Sequence, residues 1–213
     1  MILLDEYPYQ RKMDVRSALC TALALYLKGL DLSLLTARRV HSFKHVFAEW
    51  PEQEDRFEPP SACVLPGEGA YEDRSLTPSP MEETWYPEGQ EGFVLWLVAE
   101  YTIPLDIYVR ATDRGQRWAL IGALEDAFVP ADLGSAAFTS SDTYGILLPV
   151  PDYYDRTARF SLRTSRVDDN AEAAGRRVRE GVVGVEARCQ HVVVRPAKPM
   201  RVRADVTPET TGG

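Results

Sequence analysis

The chain reads as an α+β protein: a mostly antiparallel sheet flanked by two or more helices, with a long irregular acidic insertion and an extended C-terminal arm. Three features of its 213 residues predict this. From Phe93 to Val109 apolar residues occupy every second position, the period of a strand with one face in a core. Two windows, each behind an aspartate, instead repeat at the spacing of an amphipathic helix. Between Trp50 and Glu91 seven prolines and three glycines interrupt any regular pattern. The length suits one domain, expected over residues 1–195, with the arm at 196–213.

Taken in order, Asp14 is placed to cap a helix whose apolar side is Val15, Ala18, Leu19, Ala22, Leu23, Tyr26, Leu27 and Leu30, with Gly29 positioned to end it. Arg39 to Ala48 follows as a strand in which His41, Phe43, His45 and Phe47 share a side. The proline-rich stretch admits only short strands, such as Ala62–Leu65 and a few residues around Thr84–Tyr86, and no central ones. On the long strand, Phe93, Leu95, Leu97, Ala99, Tyr101, Ile103, Leu105, Ile107 and Val109 form the core side. The other side holds Trp96, Val98 and Tyr108 among charged and polar residues, so it needs covering by the chain's own helix or by another copy. Asp113 then caps a helix to Phe128, with Trp118, Ile121, Leu124, Glu125 and Phe128 on or near its apolar face, widened by Leu120 and Ala127; Pro130 stops it. Gly145–Val150 is the next strand. Ala158, Phe160, Leu162 and Thr164 alternate with polar residues, and Arg177–Arg195 alternates again, so these two runs read as an antiparallel hairpin across VDDNAEAAG.

Charge is spread unevenly. The formal net charge is −8, yet Glu49 to Gly92 holds twelve carboxylates against Arg56 and Arg74, a local −10 that leaves +2 for the remainder. Basic residues gather at Arg176, Arg177 and Arg179 and again at Arg195, Lys198, Arg201 and Arg203. Such polarity suits head-to-tail contact between copies, or an oppositely charged partner, as well as simple solubility. Cys20, Cys63 and Cys189 are three widely spaced thiols without metal-ligand spacing, which reads as buried free cysteine. No apolar run is long enough to span a bilayer, and the first residues lack the pattern of a secretory signal, so a cytoplasmic site of synthesis and no membrane partner are expected.

No constellation for bond chemistry emerges. His41 and His45 stand four apart but without an adjacent glutamate or a third ligand, so no metal is expected. GEGAYEDRS is neither a phosphate-binding loop nor a dinucleotide fingerprint, and no GxSxG elbow occurs, so no cofactor is expected either. The carboxylate pairs Asp168/Asp169, Asp152/Asp155 and Glu82/Glu83 sit beside turn-forming residues, where acids cap and solvate. The expectation is a protein that is not an enzyme. Of the large aromatics, Trp118 is expected in the core, while Trp96 and Tyr108 are candidates for a subunit interface.

The order of elements resembles one known family. An amphipathic helix, a proline-rich stretch with short strands, the run VLWLVAEYTIPLDIYVRATDRGQRWALIGALEDAFV and a late hairpin ending in VVGVEARCQHVVV are similar to the tail terminator proteins of tailed bacteriophages, also called tail completion or tail-to-head joining proteins. The likeness covers most of residues 13–195 and is one of pattern. It implies a small virion subunit, assembled in the host cytoplasm, that forms a sixfold homo-oligomeric ring at the tail–neck junction. The ring would cap the tail tube protein and meet a neck or stopper protein, with genomic DNA passing through its lumen without sequence-specific binding. Trp96, Val98, Tyr108, Arg195, Lys198, Arg201 and Arg203 are the candidate subunit contacts. The long acidic middle and the basic C-terminal arm depart from shorter family members. A head-side stopper or neck subunit, a monomeric binding module, and an enzyme with dispersed carboxylates are the alternative readings.

Overall fold

A computed structural model describes residues 14–33, 36, 40–51, 58–69, 71–73, 79–85, 92–129, 145–151, 153, 156–168 and 179–197. In chain order the elements are α1 (Val15–Gly29), β1 (His45–Phe47), β2 (Ser61–Pro66), β3 (Tyr71–Asp73), β4 (Ser79–Trp85), β5 (Gly92–Ala111), α2 (Arg114–Ala127), β6 (Ile146–Val150), β7 (Arg156–Asp168) and β8 (Arg179–Ala197). The strands form one mixed sheet, ordered β1-β2-β5-β8-β7-β6 and curled into a half-barrel. Only β1 and β2 pair in parallel; every other described pairing is antiparallel.

The 20-residue β5 is the spine. One of its edges carries β2, β3 and β4 in succession, and the other pairs with β8 along its whole length, from Gly92 opposite Ala197 to Ala111 opposite Arg179. Pro104 lies in the middle of this strand without breaking it. Its carbonyl accepts a hydrogen bond from the Gly67 N–H at 2.8 Å, on the side where β2 has ended and β3 has not begun. The N–H that proline lacks would point to that same gap, so the β5–β8 ladder loses nothing.

Both helices lie in the trough of the half-barrel. Asp14 accepts hydrogen bonds from the Arg16 and Ser17 amides at 3.0 and 3.2 Å, and Asp113 accepts one from Gln116 at 2.9 Å while the Gln116 side chain accepts from Thr112 N–H at 2.7 Å. These caps satisfy amides that the first turn would otherwise leave bare. The helix α1 touches both β2 and β6, which three strands separate in the sheet order, and only a curled sheet allows that. Its Ala18, Leu19, Ala22, Leu23 and Leu27 belong to one buried apolar cluster with Ile103, Leu105, Ile107, Val109, Val183, Val185 and Ala187 of the sheet's inner face. At about 1.5–3 kcal/mol for each large apolar side chain, this contact outweighs the weak preference of any 15-residue segment to be helical alone.

The structure corrects the sequence reading at several points. The segment Arg39–Ala48 supplies only the three-residue β1; Phe43 is buried whereas His41 and His45 are exposed, so the four residues do not share a face. The strand β2 is interior to the sheet despite its proline-rich surroundings, because the prolines at 59, 60 and 66 stand at its ends and leave Ser61–Leu65 free to pair with β5 and Ser61–Cys63 to pair also with β1. Trp118 is 51% exposed, not core. The buried side of α2 is instead Arg117, Leu120, Ile121, Leu124 and Phe128, rotated by one position. Gly181 of β8 lies beneath this face, where a Cβ would stand 2.7 Å from Ile121 Cδ1 and 3.7 Å from Arg117 Cγ. Bulges break two of the expected alternations. At Arg163 in β7 the partners jump, with Leu162 opposite Val185 and Thr164 opposite Gly184, so Thr164 leaves the face of Phe160. The bulge at Val98 in β5 has larger consequences.

Candidate assembly surfaces

Alternation along β5 holds from Ala99 to Ala111. Ala99, Ile103, Leu105, Ile107, Val109 and Ala111 are all buried on the inner face, and all but Ala99 join the core cluster that includes the helices. Across the bulge Leu97 pairs with Val192 while Ala99 pairs with His191, its immediate neighbour in β8. Successive residues of β8 point to opposite faces, so Leu97 and Ala99 do as well. The single apolar face expected from Phe93 to Val109 is therefore two half-faces on opposite sides of the sheet. Trp96 consequently lies on the inner side and Tyr108 on the outer side, so these two do not share the single second face expected of them. Side chains of Phe93 and Leu95 lie outside the described residues.

The bulge also divides the sheet into a body and an arm. Helix contacts and the main apolar cluster belong to the body, where β5 contributes Ile103–Ala111 with Tyr101 packed at the margin. Beyond it, β4, the first half of β5 and the end of β8 continue as a three-stranded arm. Val94, Ala99 and Val192 are buried there without joining the main cluster, and Trp96, Leu97, Val98 and Val193 are half-buried. The start of the arm is marked by the Tyr101 and His191 rings, stacked 4.5 Å apart.

On the body's outer face cover by α2, one of the two covers considered, is absent, since α2 lies on the inner face with α1. Trp50 covers one end instead. Its ring meets Tyr108 edge-on at 5.7 Å, and the Arg110 guanidinium lies 5.9 Å from the Trp50 ring while bonding Glu180 at 2.7 Å. Beneath, Cys63, Tyr108 and Val182 occupy one cross-strand row, and Cys63 Sγ–H donates to the Glu49 carbonyl at 3.2 Å. Farther along, the outer face is polar. A hollow of about 770 Å³ opens where Gly184 and Gly67 have no side chains, rimmed by Asp106, Tyr108, Arg163 and Arg166. A second, of about 540 Å³, lies among Glu100, Leu147, Arg159 and Arg188, and Arg188 is held by Glu186 at 3.0 Å. Strand parity places Gly184, Glu186 and Arg188 on one face and would have revealed this polar strip from sequence; Trp50 carries no periodic signal to foretell its position.

Burial pushes all three thiols, Cys20, Cys63 and Cys189, up to about 12, in keeping with their reading as unreactive core residues. Among the described residues no three His, Cys, Asp or Glu side chains converge on a metal-sized site. Arg195 falls within β8, its backbone opposite Val94, because the strand continues to Ala197. Lys198, Arg201 and Arg203 lie outside the described residues, as do Asp152, Asp155 and Asp169 of the carboxylate pairs. No described helix is long and apolar enough to cross a membrane. A search of protein-family models and of curated proteins finds no match to this chain.

Proposed function

We propose that the chain is a structural subunit of a phage virion joint, a tail terminator that assembles as a sixfold ring at the end of the tail tube and meets the head-side neck. The supporting observation is the arm. A three-stranded ribbon with half-buried Trp96, Leu97, Val98 and Val193 extends past both helices, and apolar surface of that kind is usually completed by another chain. The reading also draws on the resemblance in element order. In it the tube protein and a neck or stopper protein are the axial partners, and DNA passes through the lumen. The acidic segment 49–92, where it faces that lumen, repels phosphates and keeps DNA from adhering, whereas a basic lining would hold DNA by releasing its counterions.

Imaging of native particles and headless tails, with the chain labelled, tests this reading. Label as a ring at the tube end of headless tails supports it. Label on heads alone assigns the chain to a stopper or neck position, and label on neither overturns the virion reading.

A further inference from the structure

We infer that neighbouring copies join edge to edge through the arm, the free edge of β8 in one copy pairing in parallel with the free edge of β4 in the next. The inference deepens the ring reading above by naming its interface. Among the described residues β4 pairs only with β5, which leaves its other edge open from Ser79 to Trp85. β7 accompanies β8 only as far as Ala158 opposite Cys189, so among the described residues β8 also has an open edge from Val192 to Ala197. Among the described residues the arm thus carries two edges without a strand partner, of nearly equal length, seven and six residues. Unpaired N–H and C=O rows of this kind are templates for another strand.

Charge selects which edges meet. β4 contains Glu82 and Glu83 and no basic residue, while the open part of β8 contains Arg195 and no acid. Pairing β4 with β4, or β8 with β8, in a two-fold dimer would bring like charges together, whereas β8 against β4 brings opposite ones. The register adds a second argument. Val94 is opposite Glu83 on one side and Arg195 on the other, so the three form one row across the arm. Copies set side by side at the same level then bring Arg195 beside Glu83 of the neighbouring copy, with no axial step. A contact without an axial step closes into a ring instead of winding into a filament. Since β4 and β8 both run antiparallel to β5, rotation about an axis along the strands makes the junction parallel. Pro80 and Pro196, which have no N–H to offer, mark the ends of the pairing window and limit slippage.

The test uses the full chain with one added cysteine per molecule. Glu82 and Val194 share a row through Leu95, so Glu82→Cys in one preparation and Val194→Cys in another are mixed and oxidised mildly. The native thiols are buried and stay silent. The expected result is a mixed disulfide dimer only when both preparations are present, because neighbouring strands bring Cα atoms within disulfide range. Single Glu83→Arg and Arg195→Glu reversals then lower its yield by roughly fivefold, and combining them restores it. Homotypic disulfides in either preparation alone, or no mixed product, overturn the inference. If a cysteine variant fails to fold, sedimentation velocity decides instead: each single charge reversal lowers the ring content and the combined reversal restores it, and ring content unchanged by the single reversals overturns the inference. A chain that cross-links as expected yet is missing from tail ends keeps this interface and loses the terminator reading; a chain seen at tail ends without the cross-link does the reverse.

Discussion

Gly145→Ala probes the entry to β6, where the chain turns sharply alongside β7. Gly145 has φ of +109°, a conformation that costs an L-residue about 1–3 kcal/mol. A Cβ there would stand 2.3 Å from the Phe160 carbonyl oxygen and 2.9 Å from its carbon. These are backbone atoms of a strand held by β6 on one side and β8 on the other, so they have little room to retreat. The narrower unfolded ensemble of alanine returns about 0.4–1 kcal/mol, and the net loss is about 2–4 kcal/mol. For a chain of this size that lowers Tm by roughly 6–12 °C. Two controls divide the effect. Gly69 also has positive φ, +86°, but nothing within 4 Å of a Cβ, so Gly69→Ala isolates backbone strain at about 1 kcal/mol. Gly29 ends α1 with neither strain nor clash, and Gly29→Ala is neutral or slightly stabilising. Urea unfolding followed by circular dichroism measures all three. A Gly145→Ala loss below about 1 kcal/mol, or one no larger than that of Gly69→Ala, would refute the account of β6 against β7.

Three further outcomes follow from packing and charge. Trp118→Ala, at an exposed position, costs less than about 1 kcal/mol, whereas Leu124→Ala, fully buried on the same helix, costs about 2–5 kcal/mol; equal losses in urea unfolding would show that the helix is turned the other way. Because burial pushes the three thiols up to about 12 in the folded chain from about 9 when unfolded, the stability they contribute is complete below pH 9 and is lost as pH rises toward 12. The alkaline fall in Tm should therefore be shallower in a Cys→Ala triple variant, and identical slopes would contradict the burial. A double-mutant cycle on Arg110 and Glu180, a pair with side chains only 13% and 28% exposed, should give a coupling of about 1 kcal/mol that survives added salt; a coupling abolished by salt would mean a solvated pair.

Local rules made much of this molecule readable. Asp14 and Asp113 stand where helix caps must, and each is followed by apolar residues at helical spacing, so both helices were legible from short-range chemistry. The same holds for the existence of β5, β7 and β8, whose alternation spans more turns of the pattern than chance supplies. Positions that depend on what lies opposite were not legible. Trp118 and Arg117 are neighbours on α2, and hydrophobicity alone assigns the tryptophan inward. Which side of the helix meets β8 is set by the strand opposite it, where Gly181 lies close to Ile121 and Arg117, and Arg117 is buried in the tryptophan's place.

Val98 makes the same point for the candidate interface. The sequence by itself determined that Phe93–Val109 is a strand with a long apolar register, because side-chain alternation is a property of one chain. Whether that register stays on one face is a property of two. An unpaired residue shows itself only against the partner's count, and β8 supplies one residue fewer than β5 between Leu97 and Ala99. Tertiary structure therefore decided that Trp96 and Tyr108 lie on opposite faces, that both helices occupy the inner one, and that among the described residues the arm leaves two edges open.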